Sequence, residues 1–169
     1  MTSVFSREEG NGKAILLIHG FPFHQGIWDD FTPRLSDKFR VITVDLPGFG
    51  KSQPLKAPFS LAQVADTLLG FVKEKAFSDI SVIGHSLGGY VALAMIKAKP
   101  EMFSSLVLFH STAYADSAEK KESRSKVVEL VKKKGALPFT SGFIPPLFAD
   151  PKHPAIEKVR KIAGESTAE

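Results

Sequence analysis

The sequence predicts an α/β domain, a mostly parallel sheet with helices on both faces, followed by a helical segment. Three observations carry this. Short apolar runs at 14–18, 40–44, 80–83 and 105–109 alternate with helical patterns, the signature of a parallel sheet covered by helices. Each run is hydrophobic almost throughout, as strands buried on both faces are, rather than alternating apolar with polar. After Phe109 no further strand pattern occurs, only helical segments and loops. These observations divide the chain into a core over residues 1–110 and a helical segment over 111–169.

The elements follow in order. Residues 3–7 are expected to add an antiparallel edge strand that turns through Glu9, Gly10, Asn11 and Gly12. After the run at 14–18, a short helix over 28–35 would turn Trp28, Phe31 and Leu35 inward. Leu61, Val64, Ala65, Leu68, Leu69 and Val72 recur at i, i+3, i+4, i+7 spacing, so a helix over 60–75 would lay an apolar stripe on the sheet, with Ser60 as its N-cap. The helix after Ser86 should stop near Ala98, because Pro100 disfavours helical geometry at Lys99. A charged helix lies within 116–135, a Pro- and Phe-rich stretch follows over 137–148, and a last helix is expected over 154–163.

The 169 residues suit one domain with a substantial core, and 43% hydrophobic content is ordinary for a globular protein. With no cysteine there are no disulfides, thiol nucleophiles or cysteine-ligated metals. The first residues lack the basic start and apolar core of a secretory signal, and no apolar stretch is long enough to span a membrane, so a cytoplasmic location is expected. The net charge of +4 comes largely from residues 116–135, which hold seven basic and four acidic side chains. Their lysines snorkel outward around Val127, Val128, Leu130 and Val131, and no interleaved aromatics offer stacking platforms, so neither nucleic acid nor membrane is an expected partner.

Gly84-His85-Ser86-Leu87-Gly88 has the pattern G-x-S-x-G, set between an apolar run and a helical segment. A strand, a sharp turn with serine at its tip and a helix together present a nucleophile, and glycines flank the serine because side chains there would collide with adjoining backbone. Ser86 is therefore the candidate nucleophile. Acyl transfer also needs donors aimed at the developing oxyanion. The Leu87 amide provides one, and the loop His19-Gly20-Phe21-Pro22 offers the Phe21 amide as the second. A rival motif, Gly50-Lys51-Ser52, ends like a phosphate-binding P-loop. Asp45 occupies the position of its first glycine, placing a carboxylate where phosphate needs amide donors, and Gln53-Pro54 interrupts the helix that should follow.

With His19-Gly20-Phe21-Pro22, Asp45-Leu46-Pro47-Gly48-Phe49-Gly50-Lys51-Ser52 and Gly84-His85-Ser86-Leu87-Gly88-Gly89 in this order, the chain resembles the α/β-hydrolase fold family, particularly its small bacterial carboxylesterases, enol-lactonases and carbon–carbon bond hydrolases. The resemblance implies a serine hydrolase that forms an acyl-enzyme at Ser86, with Phe21 and Leu87 as oxyanion donors and with no metal or organic cofactor. Its expected substrate is a small ester, lactone or related acyl or carbonyl compound. Serine at the elbow argues against the branches that form an ester on a carboxylate. The pattern then departs from the family, whose members continue with two more strands carrying the acid and the histidine of the triad. The 60 residues after Phe109 resemble cap instead, so the chain is expected to lack the C-terminal part.

Five histidines are available as bases. His19 is expected to shape the oxyanion loop, His24 and Trp28 to line the pocket with Phe21, Phe139 and Phe143, His85 to be structural, and His153 to lie at the surface. His110, just past a strand's carboxyl end, is the one positional candidate for a base, and Asp45 is expected to hold its loop. The alternative reading is a catalytically incomplete fragment, acting at most as a binding or assembly module that self-associates through the open edge of its sheet.

Overall fold

The computed structural model describes residues 3–165. Its sheet has five strands: β1 (Ser6–Glu9), β2 (Ala14–Ile18), β3 (Arg40–Val44), β4 (Ile80–His85) and β5 (Phe103–Phe109), in the order β1-β3-β2-β4-β5. Strands β3, β2, β4 and β5 run parallel, and β1 pairs antiparallel with β3. The edge strand lies a few residues later than expected. Its outer residues Arg7, Glu8 and Glu9 are exposed or half-buried and charged, which blunts that edge.

Period-two alternation sends the two sides of β2 and β3 into different cores. Leu16, Ile18, Ile42 and Val44 face α2 (Leu61–Glu74) and α3 (Leu87–Ala98) in the main core, with Leu68, Val72, Val91, Ala92 and Met95 fully buried there. Ile15, Leu17 and Val41 face the opposite side, where Trp28, Leu35 and Phe39 cover them. Helices thus lie on both faces. The start of α2 is fixed by the expected cap: the Gln63 N–H donates to the Ser60 hydroxyl and the Ser60 N–H to Gln63 Oε1, a reciprocal capping box.

The helix expected over 28–35 is instead a 3₁₀ turn at Gln25–Trp28 followed by α1 (Thr32–Ser36), because the Thr32 hydroxyl turns back onto the Trp28 carbonyl between them. Trp28 is buried and Leu35 half-buried as expected, whereas Phe31 is 46% exposed at the rim of the cluster.

After β5 the chain forms α4 (Ala118–Lys134), α5 (Ala136–Phe143) and α6 (Ala155–Gly164), with a 3₁₀ turn at Pro145–Leu147. These helices contact one another, and their own small core gathers Ile144, Ile156, Ile162 and Ala163 around Phe23. Phe23 belongs to the loop after β2, so the cap-like segment is seated on that loop. The ion pair between Lys158 and Asp30 at 2.8 Å and the bond between His24 and Glu165 at 3.0 Å tie α6 to the same loop.

Candidate active site

Ser86 stands between β4 and α3 with φ 50° and ψ −113°, a conformation rare for a residue with a side chain. The surrounding glycines make it attainable. A Cβ on Gly84 would stand 2.5 Å from the Gly88 carbonyl oxygen, and one on Gly88 would stand 2.4 Å from the Ile18 oxygen. At Gly89 the space is filled by Ser111, whose Oγ would be 2.3 Å from an added Cβ. The turn is then held by hydrogen bonds. The Ser86 N–H donates to the Phe109 carbonyl at 3.0 Å, while the Ser86 carbonyl accepts from the Gly89 N–H at 3.0 Å and the Ser111 hydroxyl at 2.8 Å. Ser86 is half-buried, beside the carboxyl ends of β2 and β4.

The loop after β2 closes on this serine. A Cβ on Gly20 would lie 2.8 Å from Ser86 Cβ, so only glycine allows the approach. Gly20 to Phe23 form a turn closed by the Phe23 N–H on the Gly20 carbonyl at 2.9 Å, with a cis Phe21–Pro22 peptide. The Phe21 N–H has no protein acceptor among the described residues. Leu87 is the first residue of α3, where backbone N–H groups have no intrahelical acceptor. The Phe21 and Leu87 N–H groups are thus both without a protein acceptor among the described residues, and the α3 N-terminus adds a positive potential.

His19 pins the loop from within. Its Nε2 accepts from the Leu46 N–H at 2.9 Å, which leaves the proton on Nδ1, 3.0 Å from the Gly20 carbonyl. Full burial pushes its pKa down to about 3, so the ring is neutral. Asp45 organises the next loop: its carboxylate accepts from the Gln25 and Lys51 amides at 2.8 and 2.9 Å, and its carbonyl accepts from the Ser52 hydroxyl at 2.7 Å. Ser52 in turn accepts from the Phe5 N–H, and Lys51 lies over the Phe5 ring, so Gly50-Lys51-Ser52 is engaged in holding its own loop.

The remaining expected residues are placed as follows. His24 caps the 3₁₀ turn, accepting from the Gly26 N–H through Nδ1, and donates from Nε2 to Glu165. Trp28 is buried on the α1 side of the sheet, with Phe31, His85 and Phe109 around it. His85 joins the same aromatic cluster, where burial first and the neighbouring His110 second lower its pKa to about 4. His110 is exposed at φ 47° and packs on Phe109 and His85. His153 stacks on Phe148 in the cap. Among the described residues no histidine hydrogen-bonds the Ser86 hydroxyl. Nor do three or more His, Asp or Glu side chains converge as a metal site would require, and no helix is long and apolar enough to cross a membrane.

Two contributors escape a reading of the sequence. Ser111 braces the elbow across the gap left by Gly89, and the paired glycines at 88 and 89 were the only hint of it. Phe49 packs edge-on against both Phe21 and His19, joining the loops after β2 and β3.

Sheet order, a serine on a strained strand-to-helix turn and a glycine loop against it define a hydrolase-type α/β fold. The chain matches the model of the alpha/beta hydrolase family over residues 15–165 and belongs to that family. It is 41% identical over 109 residues to the pimeloyl-[acyl-carrier protein] methyl ester esterase of Methylococcus capsulatus, a match covering 64% of this chain and 41% of that protein. Among solved structures, a thermophilic esterase from Thermogutta terrifontis superposes with a TM-score of 0.89 at 33% identity, covering 99% of this chain and 64% of that one. The enol-lactonase from Burkholderia xenovorans LB400, at 20% identity and a TM-score of 0.87, shares the fold, with 99% and 66% covered. The chain therefore spans about two-fifths of that curated relative and about two-thirds of those structures.

Proposed function

We propose that Ser86 is the nucleophile of a serine hydrolase that cleaves a small ester, lactone or related carbonyl substrate through an acyl-enzyme. The observation that carries this reading is Ser86 at φ 50° on the turn from β4 to α3, with the loop that bears Phe21 so close that a Cβ on Gly20 would lie 2.8 Å from Ser86 Cβ. In the proposed reaction the Ser86 oxygen attacks the substrate carbonyl. The carbonyl oxygen takes up negative charge against the two N–H groups, the leaving group departs with a proton, and water later releases the acid. That the Methylococcus and Thermogutta relatives are named as esterases supports the ester class.

A general base must reach the Ser86 hydroxyl within about 3 Å, and no histidine among residues 3–165 makes that contact. No histidine among the described residues is therefore assigned as the base. This favours a second reading of the 169 residues taken alone: an assembled elbow and oxyanion site without a complete triad, left with a free β5 edge at which Val107 is 47% exposed.

Hydrolysis of a short-chain p-nitrophenyl ester by the 169-residue chain, with Ser86→Ala as control, separates the two. Turnover lost in the variant supports a self-sufficient hydrolase. Absence of Ser86-dependent turnover from a folded sample supports the reading of an elbow without a complete triad.

A further inference from the structure

Four phenylalanines from three separate segments form one continuous row beside the elbow. Phe143 and Phe139 of α5 stack with centroids 5.0 Å apart and planes 21° from parallel. Phe139 reaches Phe21 at 5.6 Å, and Phe21 meets Phe49 edge-on at 6.2 Å. Phenylalanine is ordinarily buried. Here none of the four is: Phe21, Phe49 and Phe139 are half-buried and Phe143 is 36% exposed. The row is therefore a surface rather than a core, and its middle member carries one of the two free amides beside Ser86.

Charge is absent from the row. The nearest basic side chain in sequence, Lys51, lies over Phe5 instead, and Arg124 of the cap is bound to Asp116 and Tyr90. A flat aromatic ring can stack on such a row or meet a ring edge, worth about 0.5–1.5 kcal/mol beyond its area burial. The geometry points to an aryl-bearing acyl or carbonyl compound as the ligand of this site, its carbonyl at the Phe21 amide and its ring against Phe21 and Phe139. This deepens the reading of Ser86 as nucleophile by naming the substrate class.

The test separates aromaticity from size and does not depend on turnover. Binding of 4-phenylbutan-2-one and of 4-cyclohexylbutan-2-one to the 169-residue chain is followed by amide NMR shifts. The aryl ketone is expected to bind roughly two- to tenfold more tightly, the fold-change matching the stacking energy above, with shifts at Phe21, Phe49, Phe139 and Phe143. In Phe139→Leu the ratio should fall toward one, and in Phe139→Tyr it should be retained. Equal affinities in the unaltered protein, a ratio insensitive to Phe139→Leu, or shifts confined to other residues would overturn the proposal. Because neither ketone is hydrolysed, failure of Ser86 to react with an ester leaves this test intact, and a ratio of one leaves the nucleophile reading intact.

Discussion

At the elbow an added methyl group would stand 2.4 Å from backbone at Gly88 and 2.5 Å from backbone at Gly84, while further along the chain the 17-residue helix α4 buries none of its side chains. Two ways of holding chain in place are thus present in one molecule. The elbow is fixed by crowding: the strand, the helix and the loop after β2 approach so closely that only glycine fits between them, and Ser86 is left with one conformation. The cap rests on a small set of contacts, Phe23 in its own core, Phe139 on Phe21 and a few exposed ion pairs. Exposed pairs of that kind contribute about 0–1 kcal/mol each. A rigid elbow suits preorganised donors, and a lightly held cover suits substrate entry.

The contrast is broken most severely by Gly88→Ala. Its Cβ would meet the Ile18 and His19 carbonyls at 2.4 and 2.5 Å, and backbone cannot yield as a side chain tip can. A loss of about 3 kcal/mol or more is expected, read as a collapse of the thermal melting transition or failure to accumulate folded protein.

Next in size is Asp45→Ala. It leaves the Gln25 and Lys51 amides without acceptors in a buried or half-buried setting, which should cost about 2–4 kcal/mol in denaturant unfolding.

Acid should act on the same half of the molecule. His19 and His85 are held neutral, with folded pKa values of about 3 and about 4 against 6.5 in the free side chain. Over pH 6.5 to 4 the unfolded chain binds more protons at these positions than the folded one. Stability from them is fully present above pH 6.5 and is lost as pH falls, by up to about 1.4 kcal/mol per pH unit for each ring. The check is a nitrogen-15 titration: His19 Nε2 should remain unprotonated at pH 5 in the folded protein, and a pKa near 6.5 would refute the assignment.

The cap offers the smallest effect. Val128→Ser, at a position 49% exposed on α4, should change the unfolding free energy by less than about 0.5 kcal/mol. A larger loss would mean that α4 is packed in solution against something more than α5.

The same contrast explains how far the sequence could be read. Buried runs such as Ile15 to Ile18 and the stripe from Val64 to Val72 announce themselves through periodicity, because burial of a face acts on every residue along it. The bounds of β2, β3 and α3 and the capping role of Ser60 followed from local chemistry. Trp28 did not: an aromatic residue after a loop can line a pocket or fill a core, and only the pairing order of the sheet puts it opposite α2 and α3. Ser111 and Phe49 act through contacts across 25 or more residues, to Ser86 and Phe21, which no local pattern encodes. Phe31 looked like core for its type, and the break between the 3₁₀ turn and α1 turned it out.

The central claim is that the elbow delivers Ser86 as a nucleophile with two amides ready for its oxyanion. Its most direct test is exposure of the folded 169-residue chain to a fluorophosphonate with imidazole added as the base that the described residues do not supply, followed by intact mass and peptide mapping. The account predicts a single adduct on Ser86, formed faster than on any other serine and slowed by Gly20→Val, which would push the oxyanion loop away. A folded chain in which Ser86 is unmodified, or reacts no faster than surface serines, would contradict it.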